Sequence, residues 1–310
     1  MKPSESTIGL LVMAYGGPSN LDDVEPYLMD VRGYRPTSPD VVHEVRERYR
    51  AIGGRSPILE RTRAQANAIE AVLNEHKQDF KVFVGMRHWH PFIRDTLAEM
   101  HEQGIERTVG LVMAPHYSRM SVEAYFKKIE EVNSNMRVAR IAYWHLLPEY
   151  LDALVDRVQV ALERFPPSVR ASVPVIFTAH SLPERILEWG DPYPHHLRET
   201  VEVLMQRLAP RSYEFAYQSA AISPDPWLGP DASEAMESYA AEGNRHLLIC
   251  PIGFVCEHVE ILYDIDIVYQ DLAKKLGVQL ERIEMLNDSP KLIKGLGRLV
   301  RQTAQDAGWL

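Results

Sequence analysis

Cysteine is nearly absent: two residues, Cys250 and Cys256, stand in a chain of 310. Two thiols cannot staple a chain of this size or supply the four thiolates of a usual iron–sulfur cluster. No iron–sulfur cluster is expected, and a reducing cytoplasm is the expected compartment. Long apolar runs are missing too. None approaches the roughly 18 residues of a membrane span, so no integral membrane span is expected. The opening MKPSESTIGLLVMAYGG is too polar at its start, and its apolar stretch too short, for a secretory signal. It reads as a first buried strand. An excess of positive charge is lacking: 34 Lys and Arg face 43 Asp and Glu, a net charge of -9. That argues against nucleic acid as a bulk partner. Finally, HExxH and CxxC are absent, which counts against a zinc hydrolase or a structural zinc site.

What is present is a large apolar fraction, 45% of residues, enough for a real core in a chain long enough for two lobes. Short β-branched runs alternate with longer amphipathic segments. Strands are expected at Ile8–Ala14, Lys81–Gly85, Thr108–Ala114, Arg137–Ala142, Val173–Thr178, Tyr213–Tyr217 and His246–Cys250. Helices are expected at Arg61–Glu75, Phe92–Gln103, Val122–Val132, Pro148–Phe165 and His195–Leu208. This order predicts an α/β fold with mainly parallel sheets flanked by helices, and continuous apolar strands predict burial on both faces.

The chain also repeats itself. LVMAYGGP (11–18) and IFTAHSLP (176–183) are each an apolar run, Ala, a ring residue, two residues and Pro. VGLVMAPHYSRMSVEAY (109–125) and HLLICPIGFVCEHVEIL (246–262) each place a proline at a strand end and an acid, Glu123 or Glu260, in the next helix. Two lobes of one design are expected, residues 1–145 and 146–310, with a ligand cleft at the carboxyl ends of their strands. Tyr15, His180, Pro115 and Pro251 are expected to face it.

Imidazole titrates near neutrality, so His180 at a strand end suits a base or a metal ligand. In VCEHVEILYDID, Glu257, Glu260 and Asp264 fall at i, i+3 and i+7, one α-helical stripe. The apolar residues between them leave little of that helix for water. Carboxylates with one imidazole suit a divalent first-row ion held loosely. The segment 43–63 carries six arginines against three glutamates. Ser56-Pro57 within it reads as a helix N-cap and first-turn proline, favouring an anion beside Arg55. No GxGxxG or GxxxxGK[ST] accompanies it, so no nucleotide is expected and a carboxylate-bearing ligand fits better.

LLVMAYGGP, RYRAIGGRSPI, MAPHYSRMSVEAY, TAHSLPERILEWGDPYP, YQSAAISPDPWLGP and CPIGFVCEHVEILYD together resemble the ferrochelatase family in its short bacterial, coproporphyrin-using form, over essentially the whole chain. The resemblance implies two Rossmann-like lobes around a porphyrin cleft and insertion of Fe2+, as substrate metal, into coproporphyrin III for haem biosynthesis. It implies His180 and Glu260 as the metal-site pair, with Tyr15 on the opposite porphyrin face as an axial ligand. Arg32, Arg48, Tyr49, Ser56 and Tyr125 match positions that hold the macrocycle and its propionates. His88 matches a related basic site, with Arg87 in place of a lysine. Gly33 replaces a second arginine and Val268 a further acid, so an outer metal site is incomplete. Pro183, Pro192, Pro194 and the PDPWLGP segment stiffen the cleft wall; Trp227 belongs to that wall or to the core. A monomer is expected, in transient contact with neighbouring haem-pathway enzymes. The alternatives are a protoporphyrin IX ferrochelatase, a cobalt-inserting chelatase and a non-catalytic haem or metal carrier.

Overall fold

The computed structural model describes residues 7–77, 79–132, 135–220 and 225–310. The MKPSES start and residues 221–224 of the YQSAAISPDPWLGP segment lie outside them. Two parallel four-stranded sheets, each flanked by helices, form the molecule. The first contains β1 (Ile8–Ala14), β2 (Phe80–Met86), β3 (Arg107–Val112) and β4 (Arg137–Ile141), in the order β2-β1-β3-β4. The second contains β5 (Val175–His180), β6 (Tyr213–Gln218), β7 (His246–Pro251) and β8 (Gln279–Arg282), in the order β6-β5-β7-β8.

Every residue of β1 is buried, as a strand covered on both faces requires. It pairs in parallel with β2 and β3, placing Leu11 beside Phe83 and Gly110. β5 holds the same position in the second sheet, between β6 and β7. The repeated motifs therefore end topologically equivalent strands, and Tyr15 and His180 leave the same edge of their respective sheets. β8 is absent from the strands expected above because QLER is short and polar.

Chain order and packing diverge at the C-terminus. The helix Pro290–Asp306 follows β8 but packs on the helix Ile58–Leu73 of the first half. Gly297 lies so close to Val72 that an added Cβ would stand 2.8 Å from a methyl, and Arg301 donates to the Leu73 carbonyl. Leu292, Leu296 and Val300 of this helix are wholly buried, each worth about 1.5–3 kcal/mol of transfer from water. This strap and the tie between Gln65 Nε2 and the Asn287 carbonyl, 2.9 Å, hold the two halves together. Among the described residues no helix is long and apolar enough to cross a membrane.

Candidate active site

His180 is the last residue of β5, and backbone contacts set its position. Gly253, in the loop after β7, passes 2.7 Å (as a notional Cβ) from the Ala179 methyl, an approach only glycine permits. The buried Tyr193 hydroxyl donates to the His180 carbonyl at 2.9 Å. The imidazole so placed meets a carboxylate: His180 Nδ1 lies 3.0 Å from Glu260 Oε2.

Glu260 opens a ten-residue π-helix, Glu260–Tyr269, a rare i→i+5 winding that is frequent at functional sites. Its first turn is tied to β5 through β6: Thr178 donates to Gln218 Oε1 at 2.7 Å, and Gln218 Nε2 donates to the Glu260 carbonyl at 3.0 Å. Ser219 adopts a left-handed backbone, φ 61°, at a cost of about 1–2 kcal/mol for a residue with a side chain. That turn lets its hydroxyl donate to the Asp264 carboxylate. The expected α-helical stripe of three acids is corrected here. Glu260 and Asp264, four apart, share the wider π-helical turn. Glu257 precedes the helix and turns to Arg61, 3.2 Å away.

Burial works against charge throughout this cluster, and the partners decide the outcome. For His180, burial disfavours the imidazolium, but the charge and hydrogen bond of Glu260, with Asp264 beyond, outweigh it and raise its pKa above the usual value. For Glu260, burial opposes ionisation, yet His180 and then His258, whose Nε2 lies 3.8 Å away, hold it well below the usual carboxylate range. Asp264 goes the other way: burial, partly offset by the Ser219 hydrogen bond and reinforced by Glu260, pushes it up to about 6. Two carboxylates of different acidity and an imidazole thus converge where a divalent cation could be held and protons taken. The Trp227 ring stands edge-on to His180, centroids 6.4 Å apart, so this tryptophan belongs to the site wall.

The first lobe answers with Tyr15, just beyond β1. It is 39% exposed and tilted over the His88 ring at 4.6 Å, which in turn bonds Asp30 at 2.8 Å. The Arg87 guanidinium lies 5.9 Å from the Tyr15 ring centre and 5.5 Å from that of Tyr125. Crowding by the surrounding walls pushes the Tyr15 hydroxyl up to about 12; Arg87 opposes this, and Glu260 and Asp30 add to it. Tyr15 is therefore a neutral phenol at neutral pH, within electrostatic reach of the Glu260 charge. Burial and Arg87 hold His88 below its ordinary value despite Asp30.

The other sequence-predicted residues fall into four settings. Arg48, on the helix Pro39–Ala51, pairs with Glu44 at 2.5 Å and lies 5.6 Å over the ring of Tyr263 on the π-helix, spanning the lobes. Arg32 caps the helix Val24–Val31, exposed, with no side-chain partner among the described residues. Ser56 packs against Gly17, where an added Cβ would stand 2.6 Å from its side chain, and its amide donates to the Pro18 carbonyl at 2.8 Å. Tyr49 and Tyr125 are 2% and 5% exposed; they stand behind the site face rather than on it.

Three further expectations change. Pro115 and Pro251 are buried and do not face the cleft. The Ser56 cap is displaced by one residue: the helix begins at Ile58 after Pro57, and Ser56 Oγ accepts from the Ile58 amide at 3.4 Å. Most arginines of segment 43–63 are neutralised, since Arg48, Arg50 and Arg55 pair with glutamates of the same segment and Arg61 pairs with Glu257. Asp191, Gln218, Ser219 and His258 were not anticipated. Each of the four nevertheless lies within a stretch that carries the family resemblance: TAHSLPERILEWGDPYP, YQSAAISPDPWLGP or CPIGFVCEHVEILYD.

Three comparisons bear on this geometry. The family model described as Ferrochelatase matches residues 7–304. A Ferrochelatase of Herpetosiphon aurantiacus is 42% identical over 296 residues, 94% of this chain and 97% of that one. A Coproporphyrin III ferrochelatase of Bacillus subtilis is 37% identical over 303 residues, 96% of this chain and 98% of that one. Among solved structures, SirB from Bacillus subtilis with Fe3+ has a TM-score of 0.60 at 10% identity, over 97% of each chain, a likeness of fold.

Proposed function

This chain belongs to the ferrochelatase family and is a metal-inserting porphyrin chelatase, and we propose that it inserts Fe2+ into coproporphyrin III at the His180–Glu260 pair. The observation that carries this reading is the 3.0 Å contact of those two groups at a strand end, with Tyr15 at the equivalent strand end of the other lobe.

Metallation forms bonds from iron to the pyrrole nitrogens as two N–H protons leave. At rest Glu260 favours a protonated His180, so arriving Fe2+ displaces that proton while Glu260 stays ionised as its ligand. When the ion passes into the macrocycle, His180 is free to take one pyrrole proton. Asp264, a weaker acid than usual with its pKa pushed up to about 6, takes the second and passes it to water. Tyr15, a neutral phenol, lies on the other face as an axial group. Arg32, Arg48 and Ser56 hold the propionates, with Tyr49 and Tyr125 backing the macrocycle. Binding it bent away from planarity uses these remote contacts to lower the barrier to metal entry.

Four propionates on a protein of net charge -9 need local cations. Arg32 and Arg35 are exposed without side-chain partners among the described residues, and Arg48, which would have to leave its exposed partner Glu44, stands over the π-helix. The coproporphyrin III name of the Bacillus subtilis relative agrees. Fe2+ enters as a substrate, and no iron–sulfur cluster or nucleotide is part of this reading. Action as a cytoplasmic monomer, in transient contact with neighbouring haem-pathway enzymes, belongs to the same proposal; the free thiols of Cys250 and Cys256 support only its reducing compartment. A second reading, protoporphyrin IX, is favoured by one feature: Met29 and Tyr34, beside Arg32, are 40% and 66% exposed and could form an apolar lip. Steady-state Fe2+ insertion with both porphyrins side by side tests the choice. A higher kcat/KM for coproporphyrin III is expected, and a preference for protoporphyrin IX in detergent would overturn the substrate assignment alone.

A further inference from the structure

Away from this site, a group of imidazoles gathers at the junction of the two halves. His145 lies on the connector between β4 and the helix Pro148–Leu162. His196 and Glu199 stand three apart on one face of the helix Tyr193–Arg207. One donor atom from each lies within 4.8 Å of the other two. We propose that His145, His196 and Glu199 form a second metal site, for a divalent first-row ion such as Zn2+, Co2+ or Fe2+.

The chemistry of the donors supports this. Glu199 already bridges two rings: Oε2 lies 3.1 Å from His145 Nε2, and Oε1 lies 3.5 Å from His195 Nε2. The His145 and His196 rings stack at 4.0 Å and 17°. Burial, then repulsion by His145, brings His196 down to about 4; burial also lowers His145 despite Glu199. Both imidazoles are thus neutral near pH 7, and an ion would meet lone pairs rather than protons. Two imidazoles and a carboxylate are a common set for such ions.

A second observation is independent of the cluster's spacing. His145 is buried, and its Nδ1 has no hydrogen-bond partner among the described residues. A buried polar atom without a partner calls for an explanation. A simple hydrogen-bonded stack around Glu199 leaves this nitrogen unexplained. A metal ion accounts for it, either by taking Nδ1 directly or by taking Nε2 and turning the ring. Metal–donor bonds of about 2.0–2.2 Å require the stacked rings to open and the donors to draw in by about an ångström. The restraints on the rings are weak ones: the Tyr117 amide donates to His196 Nδ1 at 3.3 Å, and the Tyr143 ring stands 5.7 Å from that of His145 and 5.2 Å from that of His196.

Such an ion would brace the molecule rather than react. It would join the connector to a helix whose first residue, Tyr193, holds the His180 carbonyl. Sequence alone gave little sign of this site, because its donors lie 51 and 54 positions apart with unremarkable neighbours.

The test is metal binding by the full chain without porphyrin. In a His180→Ala/Glu260→Gln chain, which lacks the cleft pair, equilibrium dialysis with Co2+ or Zn2+ should still find a bound ion. Bound Co2+ should show the ligand-field absorption of an ordered, low-coordinate site, and Zn2+ should raise Tm. Adding His196→Ala or Glu199→Gln, both on a partly open helix face, should weaken binding at least about tenfold, the lower range for loss of even an indirect metal contact. Either change should also abolish the Zn2+-dependent Tm rise, while the unloaded variants melt as their parent does. His195→Ala should leave binding within a few-fold. No metal bound by the cleft-variant chain, or binding indifferent to both His196→Ala and Glu199→Gln, would overturn the proposal.

Discussion

Asp191→Asn is the substitution that most directly probes how the two halves are held around the site. The buried carboxylate accepts three hydrogen bonds: Oδ2 from the Ser118 hydroxyl (3.0 Å) and the Arg119 amide (2.8 Å), Oδ1 from the Tyr193 amide (3.0 Å). Ser118 and Arg119 follow β3 in the first half; Tyr193 begins the helix that holds His180 in the second. Asparagine keeps the shape but has only one acceptor oxygen. If that oxygen serves Ser118 and Arg119, its NH2 faces the Tyr193 N–H, donor against donor. One bond to a charged acceptor, about 1.5–3 kcal/mol, is lost and the others weaken, for about 2–4 kcal/mol in all. At about 2–4 °C per kcal/mol for chains approaching this size, Tm should fall by roughly 4–16 °C. Because the tie sets the spacing of the lobes, KM for the porphyrin should rise more than kcat falls. Thermal melting by circular dichroism, with porphyrin titration of the same preparation, reads both. Ser118→Ala, which removes one bond to this charged acceptor and the acceptor of the Met120 amide, should cost about 1.5–3 kcal/mol. An Asp191→Asn protein melting with the wild type at unchanged KM would refute the reasoning.

Other outcomes follow from the same contacts. Glu260→Gln removes the main influence raising the His180 pKa; since protons and Fe2+ compete for that imidazole, the acid limb of kcat/KM for Fe2+ should move to lower pH, alongside a higher KM for iron. In the wild type, Glu260 contributes stability above the unfolded carboxylate value, about 4.3, and loses it as pH falls through its depressed native value. His180 contributes stability below about 6.5 and loses it as pH rises through its raised one. Pair-dependent stability should therefore be largest between those values, which urea midpoints of wild type and Glu260→Gln against pH can check. Tyr15→Phe should alter the absorption spectrum of bound iron–porphyrin more than turnover, and an unchanged spectrum would remove Tyr15 from the coordination sphere. Arg48→Ala should raise KM for coproporphyrin III, and added salt should weaken wild-type binding more than that of the variant.

The alternation of apolar runs with amphipathic segments was enough to read seven of the eight strands: the central β1, β5 and β7 are apolar and buried on both faces, and the edge strands β2, β4 and β6 keep enough apolar residues to show. β8 escaped because QLER has four residues and a single apolar one, too little for any pattern. The C-terminal helix carries a regular stripe, Leu292, Leu296, Leu299 and Val300, yet its packing on the first half is a tertiary fact that no local pattern states. His180 was legible because a strand that ends on an imidazole is unusual. The three-acid stripe was misread because α and π windings share the same residue preferences and differ only in which neighbours meet. The imidazole cluster at His145 and the Asp191 tie depend on how the lobes fold back on each other, which spacing along the chain does not reveal.

The most direct measurement is anaerobic Fe2+ insertion into metal-free coproporphyrin III, followed by loss of free-base fluorescence, for wild type and His180→Ala at matched porphyrin occupancy. The account predicts that the variant binds the porphyrin about as well as wild type, since the residues proposed to hold the propionates lie elsewhere, but does not metallate it above the rate without protein. Near-normal metallation by His180→Ala would contradict the assignment of the His180–Glu260 pair as the place where iron enters.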